Sequence, residues 1–146
     1  MRVLICGGRK FNDWEFFRDT LEKIALKRFP RSEPDQYGNF LYEVIIISGG
    51  AKGADQMAID WAIVNWCPFE EYKADWDDMS KPCFPKMKGT KVYNALAGLK
   101  RNQRMIDEGK PDLVIAFPGG NGTKDMISRA NKSGIEVIEV EKIFEE

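Results

Sequence analysis

The sequence predicts an α/β protein, a Rossmann-like three-layer α/β/α sandwich around a mostly parallel sheet of about five strands. First, short apolar runs alternate with segments of helical periodicity along the 146-residue chain, as in successive βαβ units. Second, residues 44–47 are four consecutive β-branched residues, typical of a strand that is covered on both faces. Third, three of the apolar runs end in glycine pairs, which suit the tight turns of such units.

The first half of the chain contains two of these units. Residues 3–6 form a buried strand that stops at Gly7 and Gly8. Asn12 and Glu15 have the spacing of a capping box, which predicts a helix of roughly four turns towards Arg28. Residues 30–41, rich in proline, glycine and polar residues, predict a loop before the second strand at 42–48. The second helix is expected over residues 54–62.

The second half repeats the alternation less regularly. A polar third strand at 69–73 is expected near a sheet edge, and residues 74–91, with Pro82, Pro85 and Gly89, are expected to be irregular. A helix is predicted from about 91 to 108, then a strand at 112–117 and a helix around residues 126–130. Residues 135–140 form the fifth strand, and a short amphipathic tail follows. No domain boundary interrupts the pattern, so one domain is expected over residues 1–146.

Composition excludes several function classes. The net charge is −1, so nucleic acid is an unfavoured partner unless a local basic patch exists. No apolar run is long enough to span a membrane. The three cysteines are far apart, which predicts reduced thiols in a cytoplasmic protein. The chain has no histidine, which excludes a Ser-His-Asp site and a histidine-ligated zinc. A metal held by oxygen ligands stays open on these grounds, but we predict no metal and no cofactor.

The glycine loops are the candidate ligand site. Ligands of open α/β sheets bind beyond the carboxyl ends of the strands, and free amides at helix N-termini attract phosphate. The alternative is that the loops are only tight turns. None matches a Walker loop or a dinucleotide-binding G-x-G-x-x-G motif. The candidate binding residues in these loops are Gly7, Gly8, Arg9, Ser48, Gly49, Gly50, Lys52, Gly53, Pro118, Gly119, Gly120, Asn121, Gly122 and Thr123.

A basic segment provides a second set of candidates. Seven basic and no acidic residues lie between Lys81 and Arg104. Arg101 and Arg104 share a helix face and suit a phosphate, although a solvated basic face explains them equally well. For residues 81–91 the solvated face is the preferred interpretation. Trp76 is either a stacking surface for a base or a packing residue.

Two carboxylates are the candidate catalytic residues. Asp55 and Asp125 each follow a glycine loop, where either would face a ribose hydroxyl or activate water. The alternative is a carboxylate in the first turn of a helix, stabilised by the helix dipole. Cys6 is expected to be a small core residue rather than a nucleophile.

These motifs together resemble the SLOG superfamily of Rossmann-like nucleotide-binding domains, and within it the small YspA-related proteins of bacteria and phages. The matching segments lie at residues 7–13, 48–55, 74–76, 101–105 and 111–123, in the family's order and over nearly the whole chain. The resemblance implies a ligand pocket formed by these loops, with Arg101 and Asn102 among its residues.

A better understood branch of that superfamily, the LOG nucleotide phosphoribohydrolases, carries the motif P-G-G-x-G-T-x-x-E. Residues 118–123 fit it, but Met126 stands at the glutamate position, and Asp125 is one residue early. One residue turns a helix by about 100°, so the resemblance supports phosphate binding more than LOG chemistry.

Three functions remain open from the sequence. The first is a module that binds a nucleotide or nucleotide-derived small molecule for sensing, sequestration or processing. The second is a nucleotide N-glycosidase that uses Asp55 or Asp125. The third is single-stranded DNA binding, which needs a basic groove lined by aromatic side chains. The resemblance is also compatible with a homodimer or a higher homo-oligomer.

Overall fold

A parallel sheet lies at the centre of the computed structural model, which describes residues 1–141. The strands are β1 (Arg2–Cys6), β2 (Ile45–Ser48), β3 (Phe69–Glu71), β4 (Pro85–Lys88), β5 (Lys91–Asn94), β6 (Leu113–Ala116) and β7 (Glu136–Glu139). The helices are α1 (Trp14–Arg28), α2 (Ala54–Val64), α3 (Ala97–Asp107) and α4 (Asn121–Lys132). Only the first residue of the predicted C-terminal tail, Glu141, is among the described residues.

Five strands form this sheet in the order β3-β2-β1-β6-β7, and every pairing is parallel. β1, β2 and β6 occupy the interior of the sheet and are almost wholly buried, as their unbroken apolar runs predict. The polar strand β3 lies at an edge, which confirms its predicted position. The chain extends the sheet in one direction from β1 and then returns to extend it in the other. The topological switch point is therefore between β1 and β6.

The helices cover both faces of the sheet, which confirms the three-layer prediction. α1 and α2 pack on one face, where Phe17, Leu21 and Trp61 are fully or almost fully buried against β1, β2 and β6. α3 and α4 pack on the other face through Met105, Met126 and their neighbours. Cys6 is buried in the second of these clusters, as predicted, and burial raises the pKa of its thiol far above the ordinary value. The thiol is therefore not a nucleophile at neutral pH.

The start of α1 differs from the predicted capping box. Asp13, not Asn12, is the N-cap, and its carboxylate accepts a hydrogen bond of 3.0 Å from the amide of Phe16. Glu15 consequently lies one position too early to complete the box. Both residue types cap well, so spacing alone selected the wrong one of two adjacent candidates.

The region between β3 and α3 contains a larger departure from the prediction. Residues 85–94 form the antiparallel hairpin β4–β5, where an irregular segment and the first turn of a helix were expected. α3 begins only at Ala97. The expected helix was too long because Val92 lies four residues before Leu96 and mimics helical spacing, but its side chain is about half exposed on the hairpin.

The base of the hairpin is held by one buried side chain. Asn94 is fully buried and its Oδ1 accepts hydrogen bonds from the amides of Phe84 and Leu96. Its Nδ2 donates to the carbonyls of Asp78 and Pro82. Three of these contacts join the end of β5 to the segment before β4, and the fourth joins it to the start of α3, so the base of the hairpin is fixed. Over residues 1–141 there is no helix long and apolar enough to cross a membrane.

Candidate functional site

A cavity of about 360 Å³ opens at the switch point of the sheet. Its floor contains Cys6, at the end of β1, and its walls come from the loops after β1, β2 and β6 and from α3. This is the position at which open α/β sheets bind ligands. The volume is at the lower end of the range of about 300–1,000 Å³ that small-molecule sites occupy.

The loop after β1 is joined by close backbone contacts to the loops after β6 and β2. Gly8 donates its amide to the Pro118 carbonyl at 2.9 Å, and its own carbonyl accepts the amide of Ala54 at 3.2 Å. Gly53, at φ +83° and ψ −131°, approaches so closely that a Cβ there would overlap the Gly8 carbonyl oxygen. These glycines therefore let two backbones meet.

The loop after β6 has the opposite character. Within residues 1–141, no hydrogen-bond acceptor faces the backbone amides of Asn121, Gly122 and Thr123, the first three residues of α4. A Cβ on Gly120 or Gly122 would meet no atom within 4 Å. Gly120, Asn121, Gly122 and Thr123 all line the cavity, and the N-terminus of α4 carries free donors and a positive dipole end.

Asp55 is the buried acidic group of the cavity wall. Its side chain accepts a hydrogen bond of 3.3 Å from the Ala51 amide. The backbone carbonyl oxygen of Asp55 accepts a hydrogen bond of 2.8 Å from Ser48 Oγ. Burial raises the pKa of Asp55 to about 6, although the charge of Arg101 and the Ala51 amide oppose that rise. The carboxyl group can therefore exchange a proton near neutral pH.

Arg101 supplies a positive charge to the same wall. Its Nη1 donates to the Gly49 carbonyl at 2.7 Å and to the Tyr72 carbonyl at 3.4 Å, which fixes the guanidinium against the loop after β2. Burial lowers the pKa of Arg101, and the nearby Asp55 carboxylate partly offsets this effect. An arginine remains charged at neutral pH, so the cavity contains a positioned cation.

Asn102 ties α3 to the open end of α4. Its Nδ2 donates to the Gly122 carbonyl at 3.2 Å and to Asp125 Oδ2 at 3.0 Å. Arg129 Nε also donates to Asp125 Oδ2, at 2.8 Å. Asp125 is thus engaged by two donors and is not among the residues that line the cavity. Met126, at the glutamate position of the LOG motif, does line the cavity.

Trp76 forms the aromatic rim of the cavity. It is 38% exposed, and its ring lies beside Gly98 and in edge contact with Tyr93, with 6.2 Å between the ring centroids. The guanidinium of Arg9 lies 5.7 Å from the Trp76 centroid, within range of a cation–π interaction. An accessible indole face beside a cation suits a planar, negatively charged ligand.

A second, larger cavity of about 880 Å³ adjoins the first. The two share Arg9, Ala51, Trp76 and Ala95, and the second one extends over the β4–β5 hairpin. Gly50 and Lys52 line this second cavity rather than the first. Pro118 and Gly119 line a third, separate depression beside Phe11.

The structure brings most of the predicted site residues to one place. Of the predicted set, the first cavity is lined by Gly7, Gly8, Arg9, Asp55, Trp76, Arg101, Asn102, Gly120, Asn121, Gly122 and Thr123. Ser48, Gly49 and Gly53 lie behind this wall, where their contacts hold Asp55, Arg101 and Gly8. Arg104 points away from the cavity, pairs with Glu108 at 3.3 Å and covers the Tyr72 ring.

Sequence reasoning did not identify the apolar part of the wall. Ala95, Gly98, Leu99 and Met105 line the cavity from the start and inner face of α3. The helical spacing of Leu99 and Met105 indicates a buried face, but it does not distinguish a core from a cavity wall. Within residues 1–141, no three acidic or cysteine side chains lie together in a way that would hold a metal ion.

Two comparisons place this geometry in a family. The sequence model of the YspA, cpYpsA-related SLOG family matches residues 1–78, which contain β1, β2 and two of the glycine loops. The Gene 61 protein of Mycobacterium phage D29 is 32% identical over 149 residues, an alignment that covers 94% of each chain. The second match covers 94% of the chain and therefore extends through the third glycine loop. The chain belongs to the YspA, cpYpsA-related SLOG family.

Proposed function

We propose that this protein binds a nucleotide or nucleotide-derived small molecule in the first cavity. The observation that carries the proposal is the set of free amides at the start of α4, which open into the same cavity as Arg101. Free helix amides and a positioned guanidinium are the donors that recognise phosphate. Membership of the SLOG family supports a nucleotide-related ligand, for either binding or processing.

The remaining lining residues suit the other parts of a nucleotide. Trp76 offers an aromatic face on which a base can stack. The Asp55 carboxylate offers an acceptor to a ribose hydroxyl. Leu99, Met105 and Met126 provide apolar contacts for the less polar surfaces. In this arrangement the phosphate lies at the N-terminus of α4 and the base at the rim.

Mass spectrometry of the small molecules released on denaturation tests the proposal directly. A second arm measures the melting temperature with the four ribonucleoside 5′-monophosphates. We expect a released nucleotide-like molecule, and a stabilisation of about 2.7 kcal/mol at a ligand concentration one hundred times the Kd. The proposal would be contradicted if the protein released no ligand and if no member of the panel raised its melting temperature.

Nucleotide hydrolysis is the second candidate function, and Asp55 is the observation that favours it. A carboxyl group with a pKa of about 6 in the cavity wall is suited to general acid–base chemistry near neutral pH. Asp125, the other predicted catalytic residue, is engaged with Asn102 and Arg129. In this proposal Asp125 positions Asn102, and Asp55 acts on the ligand.

Chromatography of nucleoside monophosphates after incubation with the protein separates the two functions. Release of free base by the wild type, lost in Asp55→Asn and retained in Asp125→Asn, would establish hydrolysis with Asp55 as the acting group. Release that persists in Asp55→Asn would contradict the assignment of Asp55. No release from a protein that binds the nucleotides would leave binding as the function.

A further inference from the structure

The second cavity has a strongly basic wall that the proposed function does not use. Its lining residues include Arg9, Lys52, Lys86, Lys88 and Lys91. The interpretation of residues 81–91 as a solvated basic face did not anticipate that three of these lysines converge. The aromatic rings of Trp76 and Tyr93 lie in the same wall.

The register of the hairpin explains why these side chains converge. Lys86 lies opposite Tyr93, and Lys88 lies opposite Lys91. Cross-strand partners lie on the same face of a β-ladder, and residues two apart on one strand share that face. The hairpin therefore presents three lysines and one tyrosine on a single face, which is the face that lines the cavity.

The positive charge of this face is largely uncompensated. Among the ion pairs of residues 1–141, only one involves this group of five cations, between Lys91 Nζ and Asp77 Oδ1 at 3.3 Å. Both of those side chains are at least 70% exposed, so water screens their attraction. Lys88 and Lys91 are also like charges directly opposite each other, an arrangement that destabilises an isolated hairpin. An anion bound between them would remove that repulsion.

The hairpin is held in place rather than free to swing away. Asn94 fixes its base with four hydrogen bonds. Lys100 of α3 adds a second connection, because its Nζ donates at 2.9 Å both to Asp78 Oδ2 and to the Ser80 carbonyl. Side chains on such an anchored element lose less freedom on binding, which favours recognition.

The second cavity is continuous with the proposed nucleotide site. Arg9 and Trp76 belong to both walls, with the guanidinium placed over the indole ring. A ligand that extends past Trp76 from the first cavity therefore meets the lysine face next. A ligand confined to the first cavity leaves that face empty.

From this geometry we infer that the second cavity is a subsite for an additional phosphate group of the ligand, so that the protein prefers nucleotides with a second phosphate outside the first cavity. This inference rests on the proposed function, because the first phosphate occupies the N-terminus of α4. Two ligand types share the required chemistry. One is a nucleoside 3′,5′-bisphosphate, and the other is a dinucleotide with two phosphate groups.

Isothermal titration with three sets of probes tests the inference. The probes are the four ribonucleoside 5′-monophosphates, the corresponding 3′,5′-bisphosphates and the four 5′-phosphorylated homodinucleotides. We expect at least one of the two larger sets to bind roughly tenfold more tightly than the matching monophosphate, as one charge-assisted contact would provide. The set that gains affinity identifies the ligand type.

The decisive variant is Lys86→Gln/Lys88→Gln, matched with Lys23→Gln/Lys27→Gln on the exposed side of α1, which removes the same charge elsewhere. We expect the hairpin variant to lose the roughly tenfold gain and to keep its monophosphate affinity, and the control to keep both. The gain should also shrink as salt increases.

The possible failures are distinguishable. Monophosphate binding without any gain from a second phosphate, or a gain that survives in the hairpin variant, would overturn this inference and leave the proposed function intact. Tighter binding of long single-stranded oligonucleotides than of dinucleotides would overturn the small-molecule assignment. Absence of binding by every nucleotide would overturn the proposed function, and this inference with it.

Discussion

Two glycine loops of this protein are alike in sequence but differ in how their backbones are packed and hydrogen-bonded. Each follows a buried strand and leads into a helix, the first into α2 and the second into α4. In the first loop, Gly53 packs against the Gly8 carbonyl, and the amides of Ala54 and Gln56 already have backbone acceptors. In the second loop, Gly120 and Gly122 face open space, and the first amides of α4 have no acceptor among the described residues.

The difference teaches that a glycine-rich turn before a helix is not by itself a phosphate site. The loop before α2 has used its donors and its space to join two βαβ units. The loop before α4 has kept the amides of residues 121–123 and the space beside Gly120 and Gly122 available, whereas its Gly119 packs against Gly8 and Thr123. Substitutions in the first loop should therefore affect folding, and substitutions in the second should affect binding. The following experiments test that division, beginning with the largest expected effect.

Gly53→Ala should cause the largest loss of stability. The residue has φ +83° and ψ −131°, a conformation almost confined to glycine, and the new methyl group would overlap the Gly8 carbonyl oxygen. Backbone strain and overpacking together predict a decrease of about 3–5 kcal/mol in the free energy of unfolding. Urea denaturation followed by circular dichroism measures it.

Gly89→Ala is the matched control for that experiment. Gly89 also has a positive φ, +63°, but a Cβ there would meet nothing within 4 Å. Only the cost of placing alanine at a positive φ remains, so we expect the free energy of unfolding to fall by about 1–2 kcal/mol. Equal losses in the two variants would show that the contact between Gly53 and Gly8 does not matter, and the proposed division between the loops would weaken.

Asp55, which follows the first loop, should make stability depend on pH. Its pKa rises from an ordinary 3.8 to about 6 on folding, so between these values the folded state holds a proton that the unfolded state has released. Stability therefore falls as pH rises through this window, and the penalty is complete above about pH 6. The pKa difference of roughly two corresponds to about 3 kcal/mol.

Comparison with Asp55→Asn isolates that contribution, because asparagine does not titrate. Between pH 4 and pH 7, the free energy of unfolding of the wild type should fall by about 2.4 kcal/mol relative to the variant, because part of the penalty is already present at pH 4. A constant difference between the two proteins over this range would mean that Asp55 is not desolvated in the folded state. Urea titrations at several pH values give the result.

Gly120→Ala should alter binding with little effect on folding. The methyl group would enter open space beside the free amides of α4, where the proposed phosphate lies. We expect roughly tenfold weaker binding of nucleoside monophosphates, equivalent to about 1.4 kcal/mol, by isothermal titration. Asn131→Ala, on the exposed far end of α4, serves as the control and should bind normally. Unchanged binding by Gly120→Ala would place the phosphate elsewhere.

Gly122→Ala should have the smallest effect on stability, and one of opposite sign to Gly53→Ala. Gly122 lies in the first turn of α4, and a Cβ there meets no neighbouring atom. Alanine restricts the unfolded chain more than glycine does, so we expect the free energy of unfolding to rise by about 0.4–1 kcal/mol. A measured loss would show that the second loop is packed like the first. Thermal and urea unfolding together resolve a change of this size.

The sequence predicts the sheet well because the buried strands carry their own signal. β1, β2 and β6 are short unbroken apolar runs, and such runs must be covered on both faces. The hairpin lacks that signal, because all four residues of β4 are exposed and two of them are lysines. The remaining clue was the two-residue connection Gly89-Thr90 between Lys88 and Lys91, a spacing typical of a tight hairpin.

The site is less predictable, because the orientation of a side chain depends on what packs beside it. Asp55 and Asp125 each follow a glycine loop, but only Asp55 enters the cavity wall. Arg101 and Arg104 differ by about one helical turn, and of the two only Arg101 lines the first cavity. Contacts from distant segments decide both outcomes: the Gly49 carbonyl for Arg101, and Asn102 for Asp125. The spacing of residues along one helix does not reveal either contact.

The hairpin sits in the connection that carries the chain from the edge strand β3 to α3 on the opposite face of the sheet. Such a crossover can change in length with little effect on the rest, since doubling a flexible loop costs only about 0.6 kcal/mol in closure entropy. None of the buried residues of the two hydrophobic clusters belongs to β4 or β5. The hairpin can therefore be exchanged while the folding core stays intact, and if it forms the inferred phosphate subsite, such an exchange would change ligand selectivity.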